Sequence, residues 1–322
     1  MASLWRRGIA ASPTQALMGA IPFEGPFRAA TGGVPSLAPC LQQQRAFGAG
    51  DLKTVAARMK SVKSIQKITK AMKMVAASKL RMDQKRLENG MPFAVPVQRI
   101  VNRIPVPEEK TDLTILALTS DKGLCGGVNS AVSRLVRDTV KETEGGGQRT
   151  CIIGVGDKVR SALQRVFGDR FSRMLTEATR FPWNFATAAV IADRIIKDDP
   201  SRLIVVYNHF RSAVAYDTIS LKVLTNQQAA KSAKQELALF EAEPELPELW
   251  KDLHDFYSAC TVYGCMLDNI ASEQSARMSA MDNASTNAGE MISALTLKYN
   301  RARQAKITTE LVEIISGANA LE

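Results

Sequence analysis

The chain has 322 residues, 45% of them hydrophobic but only 6% aromatic, and carries a formal charge of +10 at pH 7. This length suits one large domain or two modest ones, and scarce rings beside abundant Ala and Met favour helix–helix packing over a β-rich core. No run of about 18 apolar residues reads as a membrane-spanning helix, and the basic balance calls for an acidic partner surface.

Residues 1–47 read as a mitochondrial transit peptide. The first 50 residues hold Arg6, Arg7, Arg28 and Arg45 against the single acid Glu24, as import signals do. Leu4-Trp5-Arg6-Arg7 gives a short amphipathic basic start, and Arg45-Ala46-Phe47 resembles a matrix-processing site.

The next segment, 51–105, is expected to form an N-terminal shaft helix. Asp51 to Asn89 contains no glycine, no proline and no aromatic residue. Val55, Met59, Val62, Ile65, Ile68, Met72 and Val75 recur at steps of three and four, which predicts one buried helical stripe. Lys53 to Arg86 holds eleven Lys or Arg and one acid, Asp83. Several of these cations fall in the first turns, where the helix dipole disfavours them, so the charge is there for an acidic partner. The pattern breaks at Asn89-Gly90-Met91-Pro92, and Pro96, Pro105 and Pro107 mark a transition.

Residues 110–230 read as an α/β lobe. Thr111 to Ser120 is an apolar strand, followed by a turn over Asp121-Lys122-Gly123-Leu124-Cys125-Gly126-Gly127 and a helix from Val128 to Thr143. Arg149 to Val155 is a second strand and Asp157 to Val166 a second helix. Asn184 to Lys197 is a third helix, and Arg202 to Tyr207 and Thr218 to Leu224 are further strands. Strands alternating with helices predict a Rossmann-like lobe with a largely parallel sheet.

Residues 231–248, polar and acidic with Pro244 and Pro247, read as a linker into a C-terminal shaft helix over 249–322. Past Pro247 there is no proline, and only Gly264 and Gly289 precede Gly317. Met281, Ala284, Ala288, Met291, Leu295, Lys298, Ala302, Ala305, Thr309 and Val312 keep heptad spacing, which predicts a left-handed coiled coil with an alanine-rich seam. Tyr299 is placed to cover the break at Lys298. The expected fold class is therefore α/β: a long antiparallel coiled coil of N- and C-terminal helices carrying a Rossmann-like lobe.

No motif in the chain carries catalysis. The Gly123–Gly127 loop lacks the Lys-Ser or Lys-Thr of a phosphate-binding loop, and Gly154-Val155-Gly156 has Val159 where a dinucleotide fingerprint needs glycine. His209 and His254 stand alone, and Cys40, Cys125, Cys151, Cys260 and Cys265 have no zinc spacing. Cys260 and Cys265 lie about 140° apart on one helix, so reduced thiols are expected. No catalytic, cofactor-binding or metal site is assigned. The basic helix could instead contact nucleic acid, but it has no stacking aromatic residue.

Three stretches resemble one family. Ile65-Gln66-Lys67-Ile68-Thr69-Lys70-Ala71-Met72-Lys73-Met74-Val75-Ala76-Ala77-Ser78-Lys79 is similar to the N-terminal helix of the gamma subunit of F-type ATP synthase. Asp121 to Asn129 is similar to that family's central loop. Leu297 to Leu311, with Ser316-Gly317-Ala318-Asn319-Ala320-Leu321, resembles its C-terminal signature. The resemblance implies a non-catalytic rotor at the matrix side of the mitochondrial inner membrane. Its partners would be the alpha and beta subunits around the shaft, the delta and epsilon subunits of the central stalk, and the c-ring under the lobe. Nucleic acid is not among them, and the membrane is met only peripherally. Lys70, Met72 and Lys73 would meet an acidic loop of beta, with Arg303 and Gln304 in a catch against beta. Ile314, Ile315, Ala318 and Leu321 would turn in an apolar collar. Tyr207, Asn208, His209 and Phe210 would lie toward the c-ring.

Overall fold

Two helices of 53 and 74 residues frame the chain, α1 (Ala49–Val101) and the last helix (Leu246–Asn319). At 1.5 Å per residue they measure roughly 80 and 110 Å. A computed structural model describes residues 49–104, 111–177, 182–229 and 246–320, all within one compact unit, 46–322. The transit-peptide assignment and nearly all of the 231–248 linker lie outside the described residues.

Between the two helices, in chain order, come β1 (Leu113–Leu118), α2 (Val128–Gly145), β2 (Thr150–Val155), α3 (Asp157–Phe167), β3 (Phe171–Leu175), α4 (Phe185–Lys197), β4 (Arg202–Phe210) and β5 (Tyr216–Val223). The last helix is α5. The five strands lie in the order β3-β2-β1-β4-β5; only the β4–β5 hairpin is antiparallel. This is the doubly wound layout expected from sequence, with β3 added. Phe171-Ser172-Arg173-Met174-Leu175 was not expected as a strand: it sits at the sheet edge, half exposed, and so lacks the apolar run of the central strands.

Successive strand residues point to opposite faces. Leu116, Leu118, Ile153, Val155, Leu203, Val205 and Tyr207 join the core shared with α1, α4 and α5. Ile115, Ala117, Ile152, Ile204 and Val206 pack under α2 and α3. Helix α4 starts where sequence placed it, because the Asn184 side chain accepts a hydrogen bond from the Thr187 N–H at 2.9 Å.

Helix α1 does not stop at Asn89. It runs through Gly90, Pro92 and Pro96 to Val101. A helical proline loses one hydrogen bond and crowds the carbonyl four residues back. Here Pro92, Pro96 and Glu88 all face solvent, so the freed carbonyls meet water. The opposite side keeps the helix going. Ala94 and Val101 are buried, and a Cβ at Gly90 would overlap Leu267 of α5.

Two close approaches explain glycines that resemble a broken fingerprint. Gly154 faces Met174 and Val159. Gly156 takes φ +94° where β2 turns into α3, and a Cβ there would collide with the Thr119 carbonyl. Thr119 Oγ1 donates to the Val155 carbonyl at 2.9 Å and accepts from the Val159 N–H at 3.1 Å, locking the turn. Gly156→Ala should cost about 3 kcal/mol, from strained backbone plus the clash, and lower the thermal midpoint of the full chain by several degrees. An unchanged midpoint would contradict this packing.

Candidate functional site

The helices α1 and α5 run antiparallel. Gly90 packs on Leu267, Lys73 Nζ reaches Asp282 Oδ1 at 2.6 Å, and Gln66 lies against Gly289. At that offset the described start of α1 comes level with Lys306, and residues 307–320 of α5 continue alone for about 20 Å. All of them are exposed.

The seam is not where hydrophobicity puts it. Val55, Met59 and Val62 do face α5. Beyond them the less exposed positions are Gln66, Thr69, Lys73, Ala76 and Leu80, one residue out of step with the expected stripe. Ile65, Ile68, Met72 and Val75 turn outward, with 51%, 53%, 39% and 57% of their surface exposed. On α5 the expected positions Met281, Ala284, Ala288, Leu295 and Ala302 are at least partly buried. The intervening seam residues past Ser285 are Ile292, Tyr299 and Lys306, while Met291, Lys298, Ala305, Thr309 and Val312 are exposed. Tyr299 is half-buried where Lys298 is exposed.

Helix α1 is thus inverted in its middle: polar side chains face its partner helix and apolar ones face outward. Lys60, Lys63, Lys67, Lys70 and Lys79 share that outer surface. Such a surface is an unfavourable way to meet water and suits an enclosing protein wall with acidic groups.

The shaft residues assigned by resemblance fall into three groups. Lys70 and Met72 lie on the outer face, and Arg303 and Gln304, which follow the buried Ala302, are exposed as well. Ile314, Ile315 and Ala318 are exposed on the projecting end of α5, beside Ile307, Leu311 and Val312; Leu321 lies outside the described residues. Lys73, half-exposed, pairs with the exposed Asp282 of α5 across the margin of the seam.

Of the fourth assignment, Tyr207 and Asn208 are turned into the protein. Tyr207 belongs to the lobe core. Asn208 Nδ2 donates to Asn269 Oδ1 at 2.9 Å, and its carbonyl accepts from Ser272 Oγ at 3.0 Å. His209 Nδ1 lies 2.7 Å from Asp268 Oδ2, and Ser275 Oγ donates to the Ala213 carbonyl at 2.8 Å. These contacts strap β4 and its hairpin turn to α5. They also show that β4 runs in the same direction as α5, because His254 lies beside Leu224 at the hairpin's far end. Phe210 therefore sits at the end of the lobe that faces the projecting shaft. The opposite end is made by 146–149, 168–170 and 198–201.

Buried charge is concentrated at this junction. Arg277 Nη2 donates to Glu273 Oε1 at 2.6 Å, and burial raises the Glu273 carboxyl above its ordinary range against the opposing pull of Arg277. Burial likewise raises Asp268, with His209 opposing. Such pairs fix geometry more than they add stability.

The glycine loop between β1 and α2 occupies the switch point of the sheet, where doubly wound folds bind nucleotides. Leu124 and Gly126 take left-handed φ of 64° and 62°. A Cβ at Gly126 would meet Ala280 of α5. Asn129 Nδ2 donates to Ser120 Oγ at 2.8 Å and to Cys125 Sγ at 3.0 Å. The loop packs on the shaft and spends its polar groups internally. No cluster of three metal-ligating side chains occurs among the described residues.

A family model described as ATP synthase matches residues 51–321. The mitochondrial ATP synthase subunit gamma of Arabidopsis thaliana is 41% identical over 291 residues, covering 87% of this chain and 89% of the plant protein. The chain belongs to the gamma-subunit family of ATP synthase. The mitochondrial gamma subunit of Rattus norvegicus is 34% identical over 278 residues, 84% of this chain and 99% of the rat protein. Among solved structures, a chain from the central stalk and c-ring of the Tetrahymena thermophila mitochondrial ATP synthase superposes with TM-score 0.59 at 36% identity, covering 68% of this chain and 99% of that one. A rotor chain of the Euglena gracilis enzyme, at 21% identity and TM-score 0.63, shares the fold.

The thiols of this chain read as structural. Cys125, Cys260 and Cys265 are buried and unpaired; burial pushes the Cys260 thiol up to about 11 and raises the other two. Cys151 is partly exposed. Maleimide at neutral pH should label Cys151 of the folded chain and spare those three until it is unfolded.

The seam makes a sharper forecast. Ile65→Ser with Ile68→Ser should move the stability of the full chain by no more than about 0.5 kcal/mol per site, as for exposed positions. Ala76→Asp in the seam should cost about 3 kcal/mol by burying an unpaired charge. Denaturant melts that rank the two variants the other way would return the seam to the hydrophobic stripe.

Proposed function

We propose that this chain is the rotor of a mitochondrial ATP synthase, working on the matrix side of the inner membrane and taking no part in bond making itself. The inverted middle of α1 is the observation that carries the proposal. A shaft whose outer face is apolar and basic is built to be surrounded, and the alpha and beta subunits would supply the sleeve.

In this reading the projecting end of α5, with Ile314, Ile315 and Ala318, turns in an apolar collar. Met72 and Lys70 meet an acidic loop of a beta subunit, and Arg303 with Gln304 forms a catch against beta. Lys73 is released from that role and fixes α1 to α5. The c-ring lies under the end of the lobe remote from the shaft tip, at 146–149, 168–170 and 198–201, rather than at His209 and Phe210. The delta and epsilon subunits complete the stalk around the lobe.

The mechanism follows from asymmetry. A single shaft inside a near-threefold sleeve touches each catalytic subunit differently, and a ligand shifts an equilibrium only through such differences. Turning the shaft passes each set of contacts to the next subunit, so ring rotation is converted into sequential nucleotide binding and release. The chemistry sits in the sleeve, and the rotor supplies position.

Affinity purification of the tagged chain from mitochondria in mild detergent should recover an ATPase of several hundred kilodaltons containing alpha, beta and c subunits; recovery of the chain alone, or with nucleic acid, would overturn the reading. In that assembly, Arg303→Ala with Gln304→Ala should lower coupled ATP turnover several-fold while leaving the chain folded and incorporated. Wild-type turnover in the double variant would remove the catch. Met72→Lys, which adds a cation beside the acidic loop, should lower coupling efficiency.

A further inference from the structure

The rotor reading leaves one flank of the lobe without a task. Strand β3 ends the sheet, and among the described residues no strand pairs with its outer edge. Backbone groups alternate sides along a strand. The Leu175 carbonyl accepts from the Gly156 N–H on the β2 side, so Met174 directs its N–H and C=O to the open edge. Beside this edge, between β3 and α4, lies a groove of about 460 Å³. Its floor and walls are Ile153, Leu175, Val190, Ile191 and Ile195, and Val190 is 59% exposed at its mouth.

Two guanidinium groups border the groove. Arg173 is already committed, donating to Asp198 Oδ1 at 2.7 Å and to the Arg194 carbonyl at 2.9 Å. Arg194 is exposed and has no carboxylate partner among the described residues. Among the described residues the flank therefore offers an unpaired row of main-chain groups, an apolar trough running alongside, and a guanidinium, Arg194, without a carboxylate partner.

We propose that the β3 edge receives an extended segment of a second polypeptide, which adds a sixth strand to the sheet, sets alternate apolar side chains in the groove and brings a carboxylate to Arg194. Strand addition fits because main-chain bonds give the affinity and alternate side-chain pockets the selectivity. A helix seated in the same trough would leave the Met174 groups unpaired beneath it. The Arg194 guanidinium selects an acidic segment over a basic one. Because the shaft meets the sheet at β4 and β5, toward the edge opposite β3, this docking site is separate from the surface the sleeve would cover.

The test is amide exchange on the full-length chain, alone and in the assembly that co-purifies with it. The Met174 amide should exchange at least about tenfold more slowly in the assembly than in the chain alone. Val190→Arg, at an exposed position, should abolish that slowing without lowering the melting temperature of the chain. Equal rates in both states would overturn the proposal, as would slowing that survives Val190→Arg, or a chain recovered without any partner. Slowing that grows with concentration in the chain alone would assign the edge to a second copy of this chain and so also overturn it. Loss of the alpha and beta subunits from the assembly would count against the rotor reading and leave this readout intact.

Discussion

The antiparallel contact between α1 and α5 is the constraint on which the rest of the molecule depends. Both helices draw most of their stability from packing of a face rather than from propensity. Near the lobe the contact is tight: Gly90 admits Leu267, and Gly264 lies against Ala94. From Tyr257 to Ala276 α5 is buried almost all round, because the sheet, α4 and α1 enclose it together. Past Met281 only a single stripe is covered, and past Lys306 none is. One helix thus passes from core element to coiled-coil strand to free rod without a break.

The lobe is joined to that rod by a polar strap. Asp268, Asn269, Ser272 and Ser275 project from neighbouring turns of α5 and meet His209, Asn208 and the hairpin backbone in order. Buried polar contacts add less net stability than apolar ones, but they tolerate fewer arrangements. A rotating lobe that must carry its shaft with it benefits from this property, because slippage would leave each of these groups unpaired.

Much of this was legible in the sequence. The absence of glycine and proline marked both shafts, apolar runs marked four of the five strands, and Asn184 marked its helix start. What escaped did so for physical reasons. The hydrophobic stripe through Ile65, Ile68, Met72 and Val75 points away from α5, since residues chosen for an outer wall look like residues chosen for a seam. A strict seven-residue count from Val55 through Val62, Thr69 and Ala76 follows the seam, and so does Ser285, Ile292, Tyr299, Lys306 on the partner. Helix α1 outlasted its prolines because they face water. Asn208 carried no mark of its buried partner Asn269, nor Lys73 of its exposed partner Asp282, because those partners come from residues some 60 to 200 positions away.

The central claim is that the outer face of α1 is enclosed in the working state. Maleimide labelling at residue 68 of Ile68→Cys combined with Cys151→Ser, compared between the free chain and the assembled enzyme, addresses it most directly. The account predicts rapid labelling of the free chain, where this position is exposed, and strong protection in the assembly. Equal labelling in both states would show that the apolar face stays open to solvent, and the shaft would then have no sleeve.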